Sequence, residues 1–331
     1  MEISTNLNYI YFMDLEQAIH HEKELHPLGT SQDLYKLIYQ SCLGNGHMIK
    51  DEQEAYDCLM EEWKQAVWFP VQEIGNGYIR MPLIEMKEED LLLWNELLIE
   101  SAKTRHTHRA FDQALAKYGF FDRGPVSHSQ IFKENYSPHY RVIRKEYVDY
   151  FSLFKVCLYA FSMQKIVLID GPCASGKTTA ARHLSSFFEC PCIHMDDYFL
   201  PSSLKTKERL RTPGGNIDHE RFYSEVVIPF LKKEDLCLRP FDCHTQTYRK
   251  PIHLEYTPFL IIEGCYSHHP AFEELNALKI YLDISQDLQK ARLEKRSPSL
   301  IDRFLKEWIP MEELYFSTYS IKEKSDYVFS R

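Results

Sequence analysis

The sequence predicts an α/β protein, with a parallel doubly wound sheet in its C-terminal half and a mainly α-helical N-terminal half that carries a small β-hairpin. Three observations predict it. Past residue 160, short apolar runs alternate with helical stretches; these runs end in polar or acidic residues; and one of them, Ile166 to Asp170, leads directly into Gly171-Pro172-Cys173-Ala174-Ser175-Gly176-Lys177-Thr178. Strands parted by helices, with polar residues at their carboxyl ends, belong to sheets that bind ligands beyond those ends. At 331 residues the chain exceeds what one core commonly serves, so two domains are expected: residues 1–160, helical, and 161–331, built on the sheet.

In the N-terminal half, Thr30, Ser31 and Asp33 can cap a helix whose apolar residues Leu34, Leu37, Ile38 and Cys42 recur at helical spacing, with Gly44 and Gly46 as its stop. A further helix is expected from Asp51 to about Gln65. Between Phe69 and Leu83 the pattern changes, because Gly75-Asn76-Gly77 is turn chemistry between short extended segments; this predicts a β-hairpin. Helical periodicity returns at Glu88–Ala102 and Arg109–Tyr118, before breaks at Gly124-Pro125 and Ser137-Pro138. The aromatic stretch Tyr140–Phe161 reads as one more helix. The histidines of this half (His20, His21, His26, His47, His106, His108, His128, His139) form no H-E-x-x-H string or tight Cys/His spacing and read as surface or core residues.

In the C-terminal half a helix is expected at Thr178–Phe188, and further strands at Cys192–Met195, Phe259–Ile262, Lys279–Asp283 and Tyr327–Phe329. The string after the first strand satisfies G-x-x-x-x-G-K-[ST] in the strand, loop and helix setting of a phosphate-binding P-loop, which makes the sheet one of P-loop NTPase type. Glycines let consecutive N–H groups face phosphate oxygens, while the helix N-terminus adds favourable potential. Gly171 to Thr178, with Thr179 next, are therefore the expected nucleotide cradle. Lys177 is expected to bridge the outer phosphates, and Thr178 to hold Mg²⁺ through its hydroxyl.

Asp196, in His194-Met195-Asp196-Asp197-Tyr198-Phe199, follows the next strand, placed to accept a proton from an attacking hydroxyl or to help organise Mg²⁺. Glu263 ends the run Phe259-Leu260-Ile261-Ile262 at the position of a Walker B carboxylate, a second candidate metal ligand. Arg292 and Arg296, with Lys295 and Arg303 nearby, lie in or after the helix that follows Asp283. Arginines there can close over a nucleotide and neutralise a transferring phosphoryl group.

Together these residues resemble the uridine kinase branch of P-loop kinases, the group that includes phosphoribulokinase and type I pantothenate kinase. The resemblance spans roughly Lys165 to Arg331. It implies that Asp196, in a D-x-[FY]-[FY]-like string, is the base and touches the acceptor's sugar hydroxyl. It also implies that Asp218, in Asn216-Ile217-Asp218-His219, binds the ribose, that Phe241, in Arg239-Pro240-Phe241-Asp242-Cys243, lies near the base pocket, and that Glu263 is linked to the metal. Tyr198 joins Asp218 and Phe241 on the acceptor side. Where the family offers a histidine to the pyrimidine, this chain reads His244-Thr245-Gln246-Thr247-Tyr248. The N-terminal half is similar only to uncharacterised bacterial sequences with a Gln40-to-His47-like segment ahead of an acidic helix, a resemblance that implies no activity.

The expectation is thus an ATP- and Mg²⁺-dependent kinase of a small hydroxyl acceptor, uridine or cytidine first, with pantothenate, a sugar or a sugar phosphate as alternatives. The other reading is a nucleotide-binding regulatory module that hydrolyses slowly. A net charge of -9 and the lack of a basic-aromatic stripe argue against a nucleic-acid partner. No apolar stretch reaches membrane-spanning length. An odd number of scattered cysteines, 9 in all, fits reduced thiols and a cytoplasmic location. A homo-oligomer remains open.

Overall fold

Backbone contacts in the computed structural model divide the chain into two units, one ending at Phe151 and the other running on from Ser152, joined by the two-residue strand Glu2–Ile3. The structure describes residues 2–3, 13–45, 49, 51–103 and 108–330. Gly46, His47 and His106 lie outside the described residues.

In the first unit the expected helices form at Ser31–Leu43, Glu52–Lys64, Leu91–Ala102 and His108–Tyr118, with others at Leu15–Leu25 and Gln130–Tyr136. Their starts follow from capping chemistry. Thr30 and Asp33 close a capping box, and the Asp51 carboxylate accepts the Glu54 N–H at 2.9 Å. The hairpin is present as Gln72–Gly75 and Tyr78–Pro82.

One expectation fails here: Tyr140–Phe161 is not one helix. Tyr140–Arg144 is a strand that pairs antiparallel with Tyr78–Pro82, and helices follow at Lys145–Asp149 and Phe151–Ser162. The reason is tertiary. Val142 and Ile143 are β-formers, and the open edge of the hairpin gives their backbone a ladder that also buries Tyr140, Val142 and Ile143. A core of Leu37, Ile38, Ile74, Tyr78, Phe132 and Val142 lies between this sheet and the helices.

In the second unit five strands run parallel in the spatial order Tyr327–Ser330, Ala277–Asp283, Ile166–Asp170, Ile261–Glu263, Cys192–His194, and Glu2–Ile3 extends the first edge, also parallel. Ile166–Asp170 is buried throughout, as a central strand covered on both faces requires. The chain leaves this strand toward Cys192–His194 at one edge and leaves Ala277–Asp283 toward the other, so the loop after Asp170 opens at the reversal of strand order, the ligand position of such sheets. Phe154 and Phe161 pack edge-on against Phe187 and Phe188, each at 5.0 Å, which fastens the Phe151–Ser162 helix to the helix after the P-loop. Among the described residues no helix is long and apolar enough to cross a membrane.

Candidate functional site

The loop after Ile166–Asp170 takes its shape from backbone requirements. Gly171 has φ +141°, and a Cβ there would lie 2.2 Å from the Leu282 carbonyl oxygen, so only glycine lets the loop press against the neighbouring strand. Gly176 is the left-handed cap of the Lys177–Phe187 helix. Its carbonyl accepts the Ala180 N–H, where the helical ladder begins. The N–H groups of Lys177, Thr178 and Thr179 precede that ladder and are available to an anion at the positive end of the helix.

Lys177 is buried, and its Nζ donates to the carbonyls of Gly171 (2.7 Å) and Pro172 (2.8 Å). Burial works against its charge, but Cys265, Glu312, Asp170 and Glu263 around it more than compensate and hold its pKa above the ordinary lysine value. The buried Ser175 hydroxyl has no partner among the described residues. A donor in that position, beside the open amides at the start of the helix, suits a phosphate oxygen.

Two candidate metal residues meet. The Thr178 hydroxyl donates to Glu263 Oε2 at 3.3 Å, and the other carboxylate oxygen lies 2.6 Å from His194 Nδ1. That contact, ahead of the opposing effect of burial, keeps the His194 imidazolium favoured above the usual histidine range. Asp196 follows on the same strand end. It makes no hydrogen bond or ion pair among the described residues, and its side chain opens to solvent although protein surrounds it closely. This crowding, then the charge of Glu263, raises its pKa against the pull of Lys177 and His194. Oxygen donors with surplus negative charge, next to a phosphate cradle, suit Mg²⁺.

The acceptor-side candidates make contacts within the protein itself. Asp218 caps the short His219–Phe222 helix through the Arg221 N–H (3.0 Å) and pairs with Arg221 Nε (3.2 Å). Its carboxylate is committed because Arg221 is a buried cation that needs it. Tyr198 is a core side chain: its ring packs on Phe222, Arg221 lies 4.3 Å from its centroid, and its hydroxyl donates to Glu225. Phe241 is also buried, against Tyr248. Asp197 is held by Arg249. Of the two arginines, Arg292 donates to the Ala174 carbonyl of the loop at 2.9 Å, whereas Arg296 turns over the Phe304 ring.

Several residues that shape the site carry no local signal. Glu312, from the Ile309–Tyr319 helix, accepts the Cys173 N–H at 2.9 Å, and Gln289 donates to the Cys173 carbonyl at 3.0 Å. Both grip the loop from more than a hundred residues away. Asp170 is buried and accepts from the N–H groups of Gly171, Tyr266 and His268 and from the Tyr315 hydroxyl. Arg221 donates to the Asp197 and Arg239 carbonyls, which ties the Asp196 segment to the Asp218 loop. Only His194 could have been found earlier, since it precedes Asp196 on a strand end already singled out.

No protein-family model and no curated protein sequence matches the chain. Among solved structures, the chain is similar to a protein described as a possible uridine kinase from Bacillus stearothermophilus, at 20% identity and TM-score 0.44 over 56% of this chain and 99% of that one. It is also similar to a candidate fructose transport system kinase from Silicibacter, at 18% identity and TM-score 0.42 over 53% of this chain and 98% of that one. An uncharacterised protein from Eubacterium ventriosum follows at 13% identity and TM-score 0.30, over 50% of this chain and 87% of that one. The fold of the second unit rests on its own geometry: a parallel α/β sheet whose central strand delivers a P-loop to a helix N-terminus.

Proposed function

We propose that the second unit transfers the terminal phosphoryl group of ATP to a hydroxyl of a small molecule, a nucleoside such as uridine or cytidine being the first acceptor to test. The observation that carries this reading is the contrast between neighbouring carboxylates. Asp197 and Asp218 are committed to arginines, while Asp196, near Glu263 and Lys177, is uncommitted among the described residues and solvent-open. A carboxylate left free next to a phosphate cradle is free to take a proton.

ATP and Mg²⁺, when bound, supply the activated phosphoryl group and positive charge to offset its oxygens. The loop amides, Lys177 and the Ser175 hydroxyl would hold the phosphates, with Thr178 and Glu263 as metal ligands. Lys177 would give up its two carbonyl partners for phosphate oxygens. Asp196 would orient the acceptor hydroxyl and take its proton on a carboxylate oxygen, which favours attack by the oxygen left behind. Arg292 and Glu312 act at one remove, by keeping Ala174 and Cys173 in place.

The test is to incubate the purified chain and its Lys177→Ala variant with ATP and Mg²⁺ plus nucleosides, pantothenate, sugars and sugar phosphates, following ADP release and phosphorylated product. Release that depends on one acceptor, and is lost in the variant, supports the proposal. Release equal with and without every acceptor would replace it with a regulatory nucleotide hydrolase, and no release at all would count against catalysis.

A further inference from the structure

The first unit contains a cavity of about 520 Å³, walled by the helices Ser31–Leu43 and Glu52–Lys64, part of Leu91–Ala102, the strand Tyr140–Arg144 and the segment 125–128. Its described lining residues all belong to this unit, so it is a different place from the P-loop. The size suits a compact organic ligand. We propose that it is a binding site for a small aromatic carboxylic acid that also carries a hydrogen-bond donor.

The floor is already built. His128 stands between the Asp33 carboxylate (2.8 Å) and the Tyr140 hydroxyl (2.6 Å); Gln40 donates to that hydroxyl at 3.2 Å and accepts from the buried Arg80 at 3.0 Å. His128, Asp33, Tyr140 and Gln40 satisfy one another, and Arg80, which keeps one unpaired nitrogen, is not among the lining residues, so these groups shape the cavity and leave recognition to others. Among the described lining residues two groups stand out as unfinished.

Lys36 is half-buried on the helix face that also carries Tyr39 and Gln40, and its Nζ donates to the Val126 carbonyl at 2.9 Å. It makes no ion pair among the described residues, although an ammonium has two further protons to place. Burial, reinforced by Arg80, draws its pKa down to about 8, as expected of a cation short of a counter-charge. The second group is Asn45. The residue is 9% exposed, and its Oδ1 has no partner among the described residues. A carboxylate answers the first group, and an O–H or N–H donor answers the second.

The rest of the lining selects the ligand body. Leu59, Leu98, Val126 and Val142 are apolar, and the buried rings of Tyr39 and Tyr140 offer flat surface for an aromatic group. Asp51, Glu54 and Glu62 also lie on the wall, with Glu62 paired to Arg141 at 2.5 Å. Among the described lining residues, one cation without an ion pair beside several carboxylates fits a monoanion and disfavours a phosphate dianion.

The experiment is calorimetric titration of the full chain with 4-hydroxyphenylacetate, its uncharged amide, phenylacetate and phenyl phosphate. The hydroxy acid is expected to bind one site per chain, with the amide and the phosphate roughly tenfold weaker or worse and phenylacetate several-fold weaker. Lys36→Gln should weaken the acid roughly tenfold while leaving the amide unchanged, and Ala55→Phe should exclude both by filling the cavity. ATP binding should survive in both variants, which separates this site from the P-loop. Equal affinity for acid and amide, no binding of any probe, or binding unaffected by both substitutions would each overturn the proposal. The comparison of ligands alone decides it if a variant does not fold.

Discussion

Replacing Asp196 by Asn tests the proposed chemistry most directly, because the structure separates its catalytic cost from its structural cost. The carboxylate makes no hydrogen bond or ion pair among the described residues and is open to solvent, so the substitution removes no contact. Stability should therefore change by less than about 0.5 kcal/mol. The sign follows from linkage. Protein crowded around Asp196, and then Glu263, raise its folded pKa, so the folded chain holds this proton more tightly than the unfolded chain. Wild type thus loses a little stability as pH rises through the raised pKa, and Asp196→Asn does not. Turnover should respond on another scale: removal of a general base costs ~10²- to 10⁴-fold, or about 3–5 kcal/mol of barrier.

The assay measures kcat from ADP release with the acceptor found by the panel, ATP affinity by calorimetry, and the thermal midpoint. The acidic limb of the wild-type pH–rate profile should lie above the ordinary aspartate range and vanish in the variant. A folded Asp196→Asn protein that turns over within twofold of wild type would refute the assignment of the base. A fall of many degrees in its melting temperature would instead make Asp196 a structural residue and refute the reading of its environment.

Gly171→Ala should destabilise the chain by roughly 3 kcal/mol or more and abolish ATP binding, because its Cβ would lie 2.2 Å from the Leu282 carbonyl oxygen; denaturant melts should show this beside Gly124→Ala, which meets nothing within 4 Å. The first unit should lose stability in acid. Burial, then Arg80, pushes His128 down to about 3, so its contribution is complete above the unfolded value near 6.5 and is lost as pH falls toward 3, about 2 kcal/mol being gone at pH 5. Glu22 adds to this below about 4.5: burial would raise it, but Arg80 and hydrogen bonds from His26 and Gln72 hold it at about 2. Urea unfolding at pH 7 and pH 5, followed by Trp63 and Trp94 emission, checks the loss, and a His128→Gln variant with an undiminished pH slope would show that another group carries it.

The P-loop was legible from the residues because its chemistry is local. The pattern consists of contiguous residues, with Gly171, Gly176 and a lysine at the start of the next helix, and the apolar strand before them is itself a short-range pattern. Glu263 and Asp196 were legible for a related reason, since each ends an apolar run and parallel strands present such ends to one side of the sheet. The Tyr140–Arg144 strand was not. Its sequence is compatible with helix, and only the open edge of Tyr78–Pro82 makes it a strand. The cavity of the first unit was equally hidden, because Lys36, Asn45 and Leu98 come from separate segments and are drawn together by packing alone.

What the residues by themselves determined is therefore a P-loop, the order of the strands and helices around it, and a short set of carboxylates at strand ends. The tertiary structure decided how the carboxylates are employed. It left Asp196 free, committed Asp218 and Tyr198 to Arg221 and the core, and brought Glu312 and Gln289 to the loop from more than a hundred residues away. The physical reason is that a carboxylate is available for chemistry only when no buried cation claims it, and in Asp218 that claim comes from Arg221, a side chain buried by the surrounding fold.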